Sequence, residues 1–268
     1  VTQGTGGNDV SDWWRTSIID MEPGRIEIRG RPIQHLIGEL SFPQMIWLLV
    51  MGEMIEGGRA KLLEAALVAA VDHGPQAPSI AIARMAVTCG VGLNNAMASA
   101  VNVLGDVHGG AGEQAVELYQ AIDRRWQDGE PLAEAAAAEL DAWRAANGKY
   151  VSGFGHRFHK PVDPRGPRLL GLVDLAVERG QVSGRFAAIA RAIGARLAEE
   201  RGGRPVPLNI DGSTAVIYAE LGCPAPLARG LFCLSRSVGI LAHAWEQKQQ
   251  GGRNKGPTPP AYRWTYEG

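Results

Sequence analysis

Excess charge of one sign is what this sequence most plainly lacks. Its 268 residues carry a formal net charge of −1, and charged residues make up 21%. Nothing in that balance points to nucleic acid or to an acidic membrane surface as a partner. Cysteine is scarce too: Cys89, Cys223 and Cys233 are odd in number and lie in apolar stretches. They read as reduced, buried thiols in a cytoplasmic protein without a disulfide framework. None has a basic sequence neighbour that would lower its pKa and make it a nucleophile. No apolar run approaches the roughly 20 residues of a membrane helix. The N-terminus lacks the basic-then-apolar layout of a signal peptide, and its start at Val1 is expected to reflect trimming.

Several chemistries are missing by motif. There is no HExxH, no CxxC and no acidic cluster beside His156 and His159, so no metal site is expected. No GxxxxGK followed by Ser or Thr occurs, and 109-GGAG-112 does not follow a strand, which excludes a phosphate loop. No GxSxG nucleophile elbow is present either. A series of buried parallel strands is also wanting, so a doubly wound nucleotide fold is not expected.

Helix-forming sequence fills most of the chain. Residues 1 to 12 are Gly-rich and polar and are expected to be poorly ordered. The stretch 22-EPGRIEIRGRP-32 alternates Ile26 and Ile28 with charges between turn residues and predicts a short hairpin. Helices are predicted over 43–54, 59–72, 79–104, 131–146, 168–179, 184–200 and 225–248, rich in alanine and leucine. His73-Gly74-Pro75 stops the second of these, because glycine permits a left-handed exit and proline blocks continuation. The Pro- and Gly-rich end, 251-GGRNKGPTPPAYRW-264, favours extended backbone. No internal repeat is visible. The expected fold class is all-α.

Positive charge is local rather than diffuse, around Arg157 to Arg168 and again from Arg253 to Arg263, which suits a small anionic ligand. Four stretches place a proton-handling or cationic side chain where a helix ends among glycines or prolines: 72-DHGP-75, 106-DVHGG-110, 153-GFGHR-157 and 208-LNIDG-212. A fifth, 234-LSRS-237, puts Arg236 inside an otherwise apolar helix. Taken singly, each has a plain structural reading. A histidine at a helix end can serve as a cap, and Asp211 can cap a helix starting near Thr214. Arg236 must be paired, because an unpaired buried cation is costly. It meets either a carboxylate of the protein or an anionic ligand.

Taken in order, these stretches resemble the citrate synthase superfamily, specifically its short members, the citryl-CoA lyases and the C-terminal module of ATP-citrate lyase. The resemblance runs from 25-RIEIRGRPIQHLIGELSFPQMIWLLVMGEM-54 through 105-GDVHGGAGE-113 to 245-WEQ-247. Relative to full-length citrate synthases, the chain lacks a long helical insertion between 52-GEM-54 and 72-DHG-74.

The resemblance implies an enzyme that makes or cleaves the carbon–carbon bond between acetyl-CoA and oxaloacetate through an enolate thioester. It places His108 as hydrogen-bond donor to the thioester carbonyl, Asp211 as the base that removes a methyl proton, and His156 at the keto oxygen. Such a proton is a far weaker acid than a carboxylic acid, so the base succeeds only where a donor holds the charge developing on oxygen. His73, Arg165 and Arg236 match the positions that receive substrate carboxylates. Gly153 and Gly155 are expected to let backbone approach the CoA adenine. Lys160 stands at a phosphate-binding position, and Arg157 is assigned to CoA from its charge.

Coenzyme A thioester would be a substrate, with no permanently bound cofactor. A homodimer or higher homo-oligomer is implied, with helices 79–104 and 225–248 supplying its surface, and no nucleic acid or membrane partner. A large lobe of residues 1–112 and 222–268 would flank a small lobe, 113–221. At the C-terminus, Ala261 falls where relatives carry an arginine reaching across the dimer, which leaves open another 2-oxo acid as acceptor, or Arg253 or Arg263 as substitute. A CoA-binding module without catalysis is the alternative from a different class.

Overall fold

The structure, a computed structural model, describes residues 13–157 and 159–268. The expectation of disorder over 1–12 therefore lies outside the described residues. The chain divides into two compact units, up to residue 60 and from residue 61 onward.

In the first unit the expected hairpin has a third strand. β1 (Ile19–Glu22), β2 (Arg25–Ile28) and β3 (Arg31–Pro32) pair antiparallel in that order, with Ile19 opposite Ile28 and Ile28 opposite Arg31. α1 (Phe42–Met51) begins at a capping box, in which the Ser41 side chain and Gln44 satisfy each other's backbone amides. It stops at Gly52 in the left-handed region. Ile28, Leu36 and Leu48 form the core of this unit. α2 (Gly57–Ala69) spans the division and buries Leu62, Leu63, Ala66 and Leu67.

Among the described residues the second unit holds eight further helices: α3 (Pro78–Thr88), α4 (Leu93–Val101), α5 (Ala111–Gln127), α6 (Leu132–Asn147), α7 (Arg165–Glu178), α8 (Arg185–Glu199), α9 (Ile210–Glu220) and α10 (Ala225–Gln250). The all-α expectation holds. α9 is buried along nearly its whole length, from Gly212 to Ala219, and packs against α5, α7, α8 and α10. Alanines 77, 83, 96, 100 and 244, with Ile80 and Ile240, let α3, α4 and α10 approach closely.

Three expectations change. The helix predicted over 79–104 is two helices, because Gly90 takes a positive φ of 92° and Gly92 starts the second. α5 was not anticipated, although Glu113 in its first turn and Arg124 and Arg125 in its last follow the helix dipole. Cys89 is exposed at the end of α3, whereas Cys223 is buried and Cys233 half-buried; all three are free thiols. Among the described residues α10 alone is long and apolar enough to cross a membrane, yet it packs as a core helix against α3, α4, α5 and α9 and buries Arg236. Residues 251–268 are exposed, and the amides of Asn254 and Lys255 tie them to Thr88.

Candidate active site

One face of α10 carries the stretch that ends in His73. Ser235 Oγ donates to the Leu67 carbonyl, and Arg236 Nε donates to the Ala70 carbonyl at 3.2 Å. One turn on, Gly239 leaves room for backbone: a Cβ there would lie 2.2 Å from the Val71 carbonyl oxygen. Asp72 then closes the turn, its Oδ2 accepting the Gly74 amide at 3.1 Å. Burial raises the Asp72 carboxyl, but His243 and the amides of Gly74 and His73 outweigh it and hold the pKa below the ordinary value.

His108 sits on the tight loop before α5, where Gly105 and Gly109 form a bridge. Gly110 is required there, since a Cβ would meet Asp106 backbone at 2.7 Å. Arg229 of α10 ties this loop down through Asp106 at 2.6 Å and through Glu113. The Ser79 amide, at the start of α3, donates to His108 Nε2 at 3.2 Å. A ring nitrogen that accepts a backbone amide carries no hydrogen, so the neutral ring bears its proton on Nδ1.

His156 and Asp211 are brought together by a small backbone splice. The Asn209 amide donates to the Gly153 carbonyl at 3.0 Å, and the Gly155 amide donates to the Pro207 carbonyl at 2.7 Å. Asn209 Nδ2 adds a bond to the Gly155 carbonyl at 2.9 Å, while its Oδ1 caps α9 through the Gly212 amide. The cap is therefore Asn209, and Asp211 lies in the first turn of a helix that starts at Ile210, ahead of the expected Thr214. Beyond the splice, the His159 amide donates to His156 Nδ1 at 2.9 Å, which places that ring's proton on Nε2. Arg165 is held by Asp163, a fully buried carboxylate that accepts from its Nε at 3.0 Å and its Nη2 at 2.8 Å.

These segments line an open cavity of about 820 Å³ whose wall includes His73, His108, His156, Arg157 and Arg165. The rings of His73 and His156 meet edge-on at 5.5 Å between centroids. Burial, reinforced by neighbouring cations, pushes the pKa of His73, His108 and His156 below the ordinary histidine value, which favours the neutral rings. Asp211 and Arg236 are not on this wall, but they belong to the same charge cluster. Burial pushes the Asp211 carboxyl above the ordinary carboxylate range, against the pull of Arg236 and Arg165. Arg236, only 4% exposed, lies over the Phe232 ring; burial lowers its pKa while Asp211 and Asp72 oppose that.

A second cavity of about 1150 Å³ is lined by Gly155, His156, Arg157 and Lys160, together with Lys149, Arg201 and Arg204. Gly153 lines neither cavity; it is packed against Gly212. His156 and Arg157 face both. Among the described residues no group of three or more His, Cys, Asp or Glu is arranged to hold a metal ion. The sequence reading missed Ser79, Asp163 and Asn209, which fix the functional side chains, and Arg201 and Arg204 in the second cavity. Asp163 had a signal in the Asp-Pro-Arg run that carries Arg165, and Asn209 had one as a preferred capping residue within 208-LNIDG-212.

The arrangement offers two neutral imidazole donors of fixed tautomer, cations for anionic groups, and a carboxyl of raised basicity. Those are the parts that proton transfer at a weakly acidic carbon requires. Fold and cavity thus define an all-α protein of the citrate synthase-like architecture. Residues 53–258 match the family model for the citrate synthase C-terminal domain, and the chain belongs to the citrate synthase family. It is 29% identical over 226 residues to a citrate synthase of Acidithiobacillus ferridurans and 31% identical over 189 residues to that of Haloferax volcanii. These alignments cover 82% and 70% of this chain but only 55% and 46% of the relatives, so the chain spans about half their length. Among solved structures, the citryl-CoA lyase of Hydrogenobacter thermophilus superposes with a TM-score of 0.81 at 29% identity, covering 95% of this chain and 94% of that one. An ATP citrate lyase of Methanothrix soehngenii, solved with citrate and coenzyme A, shares the fold with a TM-score of 0.79 at 20% identity, over 95% of this chain and 42% of that one.

Proposed function

We propose that the chain makes or cleaves the carbon–carbon bond between acetyl-CoA and oxaloacetate, as a citryl-CoA lyase or a citrate synthase type of enzyme. One observation carries this reading. His108 and His156, their tautomers fixed by the Ser79 and His159 amides, line the same cavity as Arg165. In the synthetic direction Asp211 takes a methyl proton from the thioester. His108 Nδ1–H holds the enolate oxygen, and the enolate carbon attacks the keto carbon. His156 Nε2–H donates to the keto oxygen as it becomes a hydroxyl. Cleavage runs the same steps in reverse. His73, Arg165 and Arg236 receive the carboxylates.

Coenzyme A enters as substrate, without a permanent cofactor. The second cavity suits its phosphates: Lys160, Arg157, Lys149, Arg201 and Arg204 gather cationic groups there. In this reading the small lobe, 113–221, brings His156, Arg165 and Asp211 to His73, His108 and Arg236 of the large lobe, 1–112 and 222–268. Lobe closure would exclude water while the enolate exists. The fold match to the citryl-CoA lyase of Hydrogenobacter thermophilus favours a lyase-like member. Free thiols suit a reducing cytoplasm. The exposed apolar stripe of Leu234, Val238, Leu241 and Trp245 on α10 suits a homodimer.

The test is thiol release from acetyl-CoA with a panel of 2-oxo acids, beside cleavage of citryl-CoA. Turnover is expected with oxaloacetate or citryl-CoA, and Asp211→Asn is expected to lower it about 10²- to 10⁴-fold. A preference for another 2-oxo acid would move the acceptor and agree with Ala261. Calorimetric binding of CoA without turnover of any of these would overturn the enzyme in favour of a binding module.

A further inference from the structure

His243, on α10, lines neither cavity and stands between Arg84 and Asp72. Arg84 Nη1 lies 3.2 Å from His243 Nδ1 and 2.5 Å from Glu246 Oε2, and its Nη2 donates to Gln250 at 2.8 Å. A guanidinium only donates, so His243 Nδ1 accepts and its proton sits on Nε2. That nitrogen is 3.2 Å from Asp72 Oδ1. The other oxygen of Asp72 accepts the Gly74 amide at 3.1 Å. Gly239, one turn earlier on α10, allows Val71 and Asp72 to lie against the helix. Glycine at 239 and histidine at 243 therefore clasp a single turn, the one that carries His73 to the cavity wall.

We propose that His243 is a positioning residue: through Asp72 it orders the 72–74 turn and thereby aims His73 at the substrate carboxylate. The substrate half of this proposal rests on the function proposed above; the structural half does not. Other contacts hold the backbone as far as Val71, through Ser235 and Arg236 to Leu67 and Ala70. The Asp72 carboxylate bonds the Gly74 amide beyond. His243 is the side chain on α10 in contact with that carboxylate, at 3.2 Å.

The experiment uses the full chain and the variants His243→Phe, which keeps a ring but no donor, and His243→Gln, which restores one. Amide hydrogen exchange at His73 and Gly74 is expected to quicken about tenfold or more in His243→Phe and in Asp72→Ala, and to stay near wild type in His243→Gln. In turnover, His243→Phe should raise KM for the 2-oxo acid about tenfold and leave KM for the CoA thioester unchanged. In a His73→Ala background the same change should do nothing further, because the path runs through His73. Unchanged exchange in His243→Phe, or an effect that adds fully to His73→Ala, overturns the proposal. If wild type neither turns over nor binds oxaloacetate, the functional reading fails, and the exchange measurements alone decide the role of His243. A loss of global stability in His243→Phe that quickens exchange across α9 equally would count against positioning and for a general packing role.

Discussion

Gly153 and Gly212 touch backbone to backbone. A Cβ on Gly212 would stand 2.4 Å from the Gly153 carbonyl oxygen, and one on Gly153 would stand 2.7 Å from Gly212 Cα. This contact seats the loop of His156 on the helix of Asp211, so a cavity-lining loop and the helix of the buried carboxylate share one joint. Neither partner is a flexible side chain that can yield. Gly212→Ala is therefore expected to cost about 1–3 kcal/mol of stability, the range for forced overpacking, and to lower activity further by parting the two segments. Denaturant unfolding checks it; a loss below about 0.5 kcal/mol, the scatter of neutral substitutions, contradicts the contact.

Arg165 has two tasks that a double substitution separates. It reaches the cavity, and it neutralises Asp163, which is wholly buried. Arg165→Ala strands that carboxylate and is expected to cost about 3–5 kcal/mol as well as oxaloacetate binding. Adding Asp163→Asn removes the stranded charge. Most of the stability should return while binding stays lost. Calorimetry and unfolding on both variants make the test, and return of binding along with stability would remove Arg165 from the carboxylate site.

Leu234, Val238, Leu241 and Trp245 follow one another at helical spacing on α10 and are 48%, 59%, 40% and 49% exposed. A stripe of that spacing is the seam two helices use to pack. Val238→Glu places a charge in its middle, and a dimeric wild type should become monomeric with unchanged helix content. Light scattering after size exclusion checks it. A monomeric wild type, or a dimer that survives the substitution, leaves the stripe without that role.

What the sequence disclosed follows a physical division. Helices announced themselves where alanine and leucine recur against proline and glycine stops, as at His73-Gly74-Pro75. α5 escaped because charged residues crowd its exposed face and dilute the apolar period, although Ala115, Val116, Tyr119 and Ile122 are all buried. The break inside 79–104 rests on two glycines that an apolar run conceals. For the site, the candidate side chains were singled out by several stretches occurring together in one order, since each alone has a plain structural reading. Their supports were not: Ser79 reaches His108 with its amide and its hydroxyl only once the fold brings the two segments together, and Asn209 acts through a cap whose position depended on where α9 starts. Arg201 and Arg204 lie far along the chain from Lys160 and meet it only in the fold.

Neutral imidazoles in the site give stability a definite slope with pH. Burial holds the folded-state pKa of His73, His108 and His156 below the ordinary histidine value of about 6.5. As pH falls below about 6.5, the unfolded chain binds protons that the folded rings resist. Their contribution to stability is fully present above that pH and is lost as pH falls toward the folded values. Asp211 acts in the opposite sense. Its folded pKa lies above 3.8, so the folded protein keeps a proton that the unfolded chain has released, and that contribution fades as pH rises through the folded value. Denaturant midpoints measured between pH 5 and 8 should thus fall on the acid side of 6.5. The slope should flatten in a His108→Gln, His156→Gln double variant. Imidazole titration by NMR reads the same values directly, and a His108 or His156 that titrates above 6.5 would sink both the tautomer assignment and the neutral-donor mechanism built on it.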